Sequence, residues 1–519
     1  MTVSILDCTL RDGGYINNFR FGVDCIHTIK EKLCEANIEI IECGFLQSNK
    51  NDPDCSLYGG VEQILLPKDR NGKMFVAMIA FGDIGDEEIA PYQENYIDGI
   101  RLTFHDSEWE DTKHLALNLM NKGYKVFIQP VGTLSYTDEE LLELIKEVNA
   151  LKPYAFYLVD TLGSMYKNDL LRMFFLVEHN LAKDICLGYH SHNNMQLSFA
   201  NSMTLLELHT NRHIIIDSSV FGMGRGAGNL NTELITHFIN NNIEQRYDLV
   251  PLLELIDDII LPIYKYASWG FSEPYYLSAI MGVHPNYSSY LIDKQSIGMT
   301  QIAEILNKLS KDNRHLFSKN NIEELYHKEM SNTMNDSSSI AEISAKVHRR
   351  EVLVIAPGSS IRTNYKQIMD RIEKTHPYVI SLNFVPEDIK PDLVFISNRK
   401  RFTQLKSSVF PLAVTSNIKT FNKKNVYMID YDSLISDNMD YSGIMVLRFI
   451  LRLSVERVLL AGYDGFTGGN DHYNKNLDNY LSAETVIALN NSMSKQLIEI
   501  RKKLSLEFLT PSIYDVNNK

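Results

Sequence analysis

Short apolar runs separated by amphipathic stretches recur through the first half of the chain. They begin near Val3 (VSIL), Ile38 (IEIIECG), Met74 (MFVAMIA), Gly99 (GIRLTF), Tyr124 (YKVFIQP), Ala155 (AFYLVD), Ile185 (ICLGYHSH) and His213 (HIIIDSSV). Each is short, rich in β-branched or aromatic residues, and reads as a buried strand. Helical stretches are expected between them, giving eight βα units within residues 1–248. That count and spacing predict an α/β fold, a (β/α)8 TIM barrel, whose ligand-facing side is the carboxyl end of the strands. A doubly wound open sheet also alternates strand and helix, but rarely needs eight evenly spaced units.

Polar residues fall at the predicted strand ends: Arg11 and Asp12, Glu42, His105, Gln129, Asp160, His190 and His192. Asp217 and the loop Gly222-Met223-Gly224-Arg225-Gly226-Ala227-Gly228-Asn229 close the eighth unit. In Asp7-Cys8-Thr9-Leu10-Arg11-Asp12-Gly13-Gly14-Tyr15, a strand runs into a cation, a carboxylate and two glycines, which let backbone approach a ligand closely. In Gly188-Tyr189-His190-Ser191-His192-Asn193-Asn194, the two histidines share one face of a strand and can grip one ion. One Asp with a His-x-His makes a mixed oxygen and nitrogen site that leaves positions open for a substrate. Glu42, Gln129 and Asp160 are candidate substrate contacts, although Glu42 and Asp160 equally suit capping or orienting roles. Arg225 and Asn229, among small residues, are candidates for gripping a substrate carboxylate.

From Leu249 to about Ser331 the pattern turns helical, with Leu252, Leu253, Ile256, Ile259, Ile260 and Ile263 at helix spacing. A polar run follows, and residues 332–345 are expected to be a linker. Residues 346–519 read as a second, Rossmann-like α/β domain. Its first strand, Glu351 to Ala356, leads into the tight turn Pro357-Gly358-Ser359-Ser360. Further strands are expected at Val379 to Leu382, Leu393 to Ile396, Val426 to Ile429 and Arg457 to Ala461, the last running into Gly462-Tyr463-Asp464-Gly465. A strand, glycine turn and helix in that order could present backbone N–H groups to a phosphate.

Length supports the division, since 519 residues are too many for one ordinary core. A net charge of −14 argues against nucleic acid or an anionic membrane as the main partner. No apolar run is long enough to span a bilayer, and none before the first strand looks like a leader. The six cysteines lack any CxxC pair and read as reduced thiols, so a cytoplasmic location is expected.

DCTLRDGG, HSHNN and GMGRGAGN, in that order, resemble the metal-dependent pyruvate aldolase and lyase (DRE-TIM) superfamily, most nearly its 4-hydroxy-2-oxovalerate aldolase branch. WGFSEPYYLSAIMGVHPNY is similar to that branch's helical extension. The resemblance covers roughly residues 1–330. It implies a divalent metal (Mn2+ first, with Mg2+ or Zn2+ open) held by Asp12, His190 and His192. It implies Arg11 at an enolate oxygen, and as substrates a 2-oxo acid such as pyruvate plus an aldehyde. Pairing through the helical extension would give a homodimer. One departure stands out. The aldolase branch has a catalytic histidine three residues after the metal aspartate, where this chain has Tyr15. The lyase branch's loop cysteine is also missing from GMGRGAGN. Tyr15, His105 and His284 are the candidates to replace them as acid/base.

The second domain is similar to sialyltransferase-like and pterin-diphosphokinase-like nucleotide-binding domains. That implies a nucleotide or nucleotide sugar near Gly358, Ser359, Asn383 and Asp464, and a setting in surface-polysaccharide synthesis. The expected activity is a class II-type carbon–carbon lyase or aldolase. An acyl-CoA-dependent Claisen reaction on the same barrel, and a non-catalytic nucleotide-sugar scaffold, stay open as alternatives.

Overall fold

A computed structural model describes residues 2–515 apart from 295, 311–312, 315, 419–424, 437–439, 456 and 468–482. The chain divides into two compact units, residues 1–288 with 310–317, and residues 289–309 with 318–519.

The first unit is a closed parallel barrel of eight strands. In chain order they are β1 (Thr2–Asp7), β2 (Ile40–Leu46), β3 (Met74–Ala80), β4 (Gly99–Phe104), β5 (Lys125–Pro130), β6 (Ala155–Asp160), β7 (Cys186–Ser191) and β8 (His213–Ser218). Each pairs with the next, and β8 closes on β1 with Asp7 opposite Ser218. Their near-continuous burial is what a parallel sheet covered on both faces demands. A two-residue strand, Leu57–Tyr58, adds to the outside of β2.

Six of the eight units carry an α-helix after the strand: α1 (Val23–Glu35), α2 (Trp109–Asn121), α3 (Asp138–Leu151), α4 (Lys167–Asn180), α5 (Ser198–Glu207) and α6 (Thr232–Asn242). Helix α3 shows why. Thr137 accepts from the Glu140 N–H while Glu140 accepts from the Thr137 N–H, a reciprocal cap, and Leu141, Leu144, Ile145 and Val148 line its buried stripe. The expected helices after β2 and β3 are replaced by single short turns, Val61–Gln63 and Asp86–Glu88. Pro53, Gly59, Gly60 and Pro67 interrupt the first connection, and Gly82, Gly85 and Pro91 the second, so neither holds a continuous helical run.

The helical pattern after Leu249 is present as Val250–Leu255, a π turn at Ile256–Ile260, and Leu261–Tyr266. The expected linker is not loose chain. Helix α7 (Ser337–Val347) occupies much of it. Asp336 is buried, ion-paired to Arg452 at 2.6 Å, and accepts the Asp430 N–H; the Asn332 amide donates to the Ser416 carbonyl. The polar residues that suggested solvent are satisfied by the second unit instead.

That unit holds a seven-stranded, wholly parallel sheet of β9 (Val352–Ile355), β10 (Tyr378–Leu382), β11 (Leu393–Ile396), β12 (Leu412–Thr415), β13 (Val426–Ile429), β14 (Arg457–Ala461) and β15 (Ser505–Phe508). The order is β13-β12-β11-β10-β9-β14-β15, so the winding reverses between β9 and β14. Helices α8 (Tyr365–Thr375) and α9 (Ser442–Leu451) are among those connecting the strands. None of the helices among the described residues is long and apolar enough to cross a membrane.

Candidate metal and substrate site of the barrel

The carboxyl ends of β1 and β7 bring Asp12, His190 and His192 together. One ligand atom from each lies within 4.8 Å of the others, and all three residues are buried. The Asp12 carboxylate is placed by the turn after β1, where the Arg11 and Asp12 N–H groups both donate to the Cys8 carbonyl. His190 and His192 share a strand face, with ring centroids 5.1 Å apart.

Each member is held by a second set of groups. His190 Nδ1 lies 3.0 Å from Asp217 Oδ2, which fixes the ring and leaves Nε2 as the ligating nitrogen. Asp12 Oδ1 accepts from Arg11 at 2.8 Å, and Oδ2 accepts from the Asn229 amide at 2.6 Å. Burial opposes ionisation of Asp12, but Arg11, both histidines and Asn229 outweigh it and hold the carboxyl well below its usual value. Burial pulls the His192 imidazole down to about 3, so it is neutral, the form that binds metal.

A buried charge network lies behind this cluster. Arg11 Nε donates to Glu42 Oε2 at 2.8 Å. Arg101, on β4 and fully buried, sits 2.7 Å from the same oxygen and hydrogen-bonds Asp217. With its amide oxygen turned inward, Gln129 accepts from Arg101 Nε at 2.6 Å. Three carboxylates (Asp12, Glu42, Asp217) thus face two guanidiniums, leaving one negative charge uncompensated. Burying that charge is costly unless a cation joins it. Two orphaned buried atoms add to the case: Arg11 Nη2 and Asn229 Oδ1 have no hydrogen-bond partner among the described residues. The donor set, its charge and the free Asn229 oxygen fit a hard divalent cation.

The other residues singled out in the sequence fall into three groups. Glu42 and Gln129 join the network described above. Asp160 accepts the Ser164 and Met165 N–H groups at 2.9 and 3.0 Å and so caps its own loop; burial still raises its carboxyl to about 6. The His105 backbone N–H donates to Glu108 at the start of α2, and His284 Nδ1 accepts from the Asn286 N–H while its ring packs near Phe317. Tyr15 is different. Desolvation raises its phenol, Arg225 opposes that rise, and Asp12 and Arg11 are close enough to act on it. The Arg225 guanidinium lies 5.1 Å from the Tyr15 ring.

Local backbone explains the loop glycines. A Cβ on Gly224 would stand 3.0 Å from Asp12 Oδ2 and collide with the Asn229 amide. Gly44 (φ +144°) makes the bulge beside Glu42, where a Cβ would strike the Ser56 carbonyl.

Sequence reasoning set out the metal triad but missed Arg101, whose position inside an apolar strand gave no sign of a partner. Asp217 was noted at a strand end, with no signal that it would orient His190.

Residues 115–259 match the HMGL-like family model. That match runs from α2 into the helical segment after α6. The chain is similar to the 4-hydroxy-2-oxovalerate aldolase of Geobacillus genomosp. 3, 25% identical over 271 residues, which are 50% of this chain and 77% of the relative. It is also similar to the oxaloacetate decarboxylase of Mycobacterium tuberculosis, 26% identical over 240 residues, 44% of this chain and 68% of the relative. Among solved structures, the carboxyl transferase domain of Rhizobium etli pyruvate carboxylase with pyruvate aligns at a TM-score of 0.49 and 13% identity, covering 63% of this chain and 61% of that one. The HMGL-like match lies wholly within the first unit.

The second unit has its own polar cluster. Asp464, after β14, accepts the Ser360 N–H at 2.8 Å and the Ser360 and Ser359 hydroxyls. The turn expected to offer N–H groups to a phosphate is therefore already occupied by a carboxylate. Gly358 is needed there because a Cβ would strike Asp464 and the Gly462 carbonyl. Asn383, after β10, donates to the Ser442 hydroxyl at 2.8 Å and accepts the Ser397 N–H at 3.1 Å.

Proposed function

We propose that the barrel is a divalent-metal-dependent carbon–carbon lyase, an aldolase of the class II type, acting on a pyruvate-like 2-oxo acid and an aldehyde. The observation that carries this reading is the Asp12, His190 and His192 cluster with the unpartnered Arg11 Nη2 beside it. The aldolase and decarboxylase relatives support it, since both are named for acting on 2-oxo acids.

Asp12, His190 and His192 would hold the ion, with the free Asn229 oxygen as a further donor. When bound, a cation such as Mn2+ or Mg2+ supplies Lewis-acid polarisation of the chelated keto acid. Arg11 donates its free N–H to the oxygen that becomes negative when the C–C bond breaks, and it stays protonated at any working pH. Glu42 and Asp12 hold the guanidinium in place for that role. In cleavage, the base takes the substrate hydroxyl proton, the C–C bond breaks, and its electron pair passes to the enolate, which then takes a proton from solvent to give the 2-oxo acid. In synthesis, the enolate carbon attacks the aldehyde carbon and the aldehyde oxygen takes the proton. Tyr15 is our choice for that proton transfer. Its raised phenol keeps the proton near neutral pH, so it gives that proton in synthesis and takes it back as phenolate in cleavage, and both Asp12 and Arg11 act on it.

For the second unit we propose a nucleotide-type ligand. Support comes from topology: ligands of open α/β sheets bind where the winding reverses, outside the carboxyl ends of the strands. Here that is the β9–β14 crevice, bordered by Gly358, Ser359 and Asp464. A phosphate on the first turn would have to displace the Asp464 carboxylate. A role in surface-polysaccharide synthesis, a dimer and a cytoplasmic location rest on the resemblance and composition.

The test is metal analysis of the purified protein with exchange of pyruvate methyl protons into D2O, followed by NMR. The expected results are bound divalent metal and metal-dependent exchange, with Asp12→Ala and His190→Ala each losing at least ~1,000-fold of the exchange rate, the scale of removing a Lewis acid worth several kcal/mol. Exchange that persists at full rate in EDTA would refute the reading.

A further inference from the structure

Resting on that reading, we propose that Arg225 binds an oxyanion, a carboxylate or a phosphate, carried by the second substrate, so that the aldehyde is an acidic one.

The charge of the site leads there. Asp12, Glu42 and Asp217 exceed Arg11 and Arg101 by one negative charge. A divalent cation turns that deficit into one positive charge, and the carboxylate of a 2-oxo acid cancels it. The inner site is then balanced without any further cation, yet one more stands at its mouth. Arg225 makes no ion pair and its side chain makes no hydrogen bond among the described residues. Its contact is with the face of Tyr15, at 5.1 Å. A guanidinium stacked on an aromatic ring keeps its N–H edge free for a planar or tetrahedral oxyanion.

The loop holds Arg225 there. Gly224 packs against Asp12 and Asn229, leaving no room for a Cβ. Gly226 (φ +70°) and Gly228 (φ +80°) adopt left-handed backbone. The Ala227 N–H donates to Asn194 Oδ1 at 3.1 Å, and the Gly228 N–H donates to the Arg225 carbonyl. So the position before Arg225 has no room for a side chain beside Asp12, while the arginine leans on Tyr15, the group assigned to proton transfer. A substrate whose carbonyl oxygen meets Tyr15 would extend its far end past Arg225. A second carboxylate that acts on Tyr15, Asp83, accepts from the Gln47 amide at 3.4 Å.

The test uses the full-length protein with Mn2+ and pyruvate. Condensation is measured with matched aldehydes: succinic semialdehyde against butanal, and glyceraldehyde 3-phosphate against glyceraldehyde. Wild type should favour at least one acidic member over its neutral match by tenfold or more in kcat/KM. Arg225→Met should erase that preference, mainly through KM, and Arg225→Lys should restore part of it. The two pairs separate a carboxylate from a phosphate. Equal use of acidic and neutral aldehydes, an intact preference in Arg225→Met, or pyruvate exchange without condensation of any acidic aldehyde would overturn the proposal. So would loss of pyruvate exchange itself in Arg225→Met, which would assign the arginine to the 2-oxo acid. Absence of exchange in the wild type would instead sink the lyase reading.

Discussion

The two units place polar residues at the carboxyl ends of parallel strands, yet the two clusters differ in what they leave unsatisfied. In the barrel, Arg11 Nη2 and Asn229 Oδ1 are buried without a partner beside a carboxylate and two imidazoles. In the second unit, the Asp464 carboxylate takes a backbone N–H and two hydroxyls of its own turn. One cluster leaves buried polar atoms unused beside a candidate metal triad. The other is held at its first turn by Asp464, which a ligand binding there would have to displace. A glycine turn after a strand is common to both, so the motif alone does not mark a ligand site; unspent hydrogen-bonding capacity does.

Experiments can press on that contrast, and the largest effect is expected deep in the barrel. Arg101→Met leaves Glu42 and Asp217 facing each other in the interior without their shared cation. Breaking such a buried set by removing one member costs about 3–5 kcal/mol. Denaturant unfolding of the metal-free protein should show it, and added Mn2+ should recover part of the loss; an unchanged midpoint would mean the network carries no energetic weight.

Next is a pH effect. Asp7 accepts from the Thr9 N–H and the Thr232 hydroxyl, yet burial raises its carboxyl to about 6. A group raised on folding adds stability that is complete below its unfolded value, near 3.8, and disappears as pH climbs through about 6. Asp7→Asn should therefore flatten the stability profile between those pH values, removing up to about 3 kcal/mol of slope. A profile identical to wild type would show that Asp7 titrates normally.

A smaller effect is expected at the metal. Asp217→Asn keeps the shape beside His190 but weakens the hold on its ring. Loss of such an orienting partner typically costs ~10–100-fold in metal affinity. Titration of the apo protein with Mn2+ measures it, and unaltered affinity would free His190 from Asp217.

The smallest is in the second unit. Asp464→Asn swaps a charge-assisted bond for a neutral one at Ser360, an expected cost of about 1–2 kcal/mol. The metal content of the protein should stay at the wild-type level, since this cluster shares no residue with the triad. A fall in metal content would tie the two clusters together and end the contrast.

Much of the first unit was legible along the chain. Eight apolar runs became eight strands because a covered parallel strand must be apolar on both faces. The candidate metal triad could be read because each member is announced locally, by glycines after Asp12 and by the two-residue period of His190 and His192. Helices after β2 and β3 were overread because proline and glycine break those connections into turns. The linker was misjudged at Asp336, where a polar residue marks a partner, Arg452, that lies far along the chain.

Unaided, the order of residues determined the strand count and the barrel and pointed to a candidate triad, since hydrophobic period and motif spacing are local properties. The tertiary structure decided which polar atoms are used up and which are spare. Arg101 meets Glu42 and Asp217 across the barrel, and Asp464 reaches Ser360 from 104 positions away. Hydrogen bonding and charge balance depend on distances in space, which chain separations of that size do not encode.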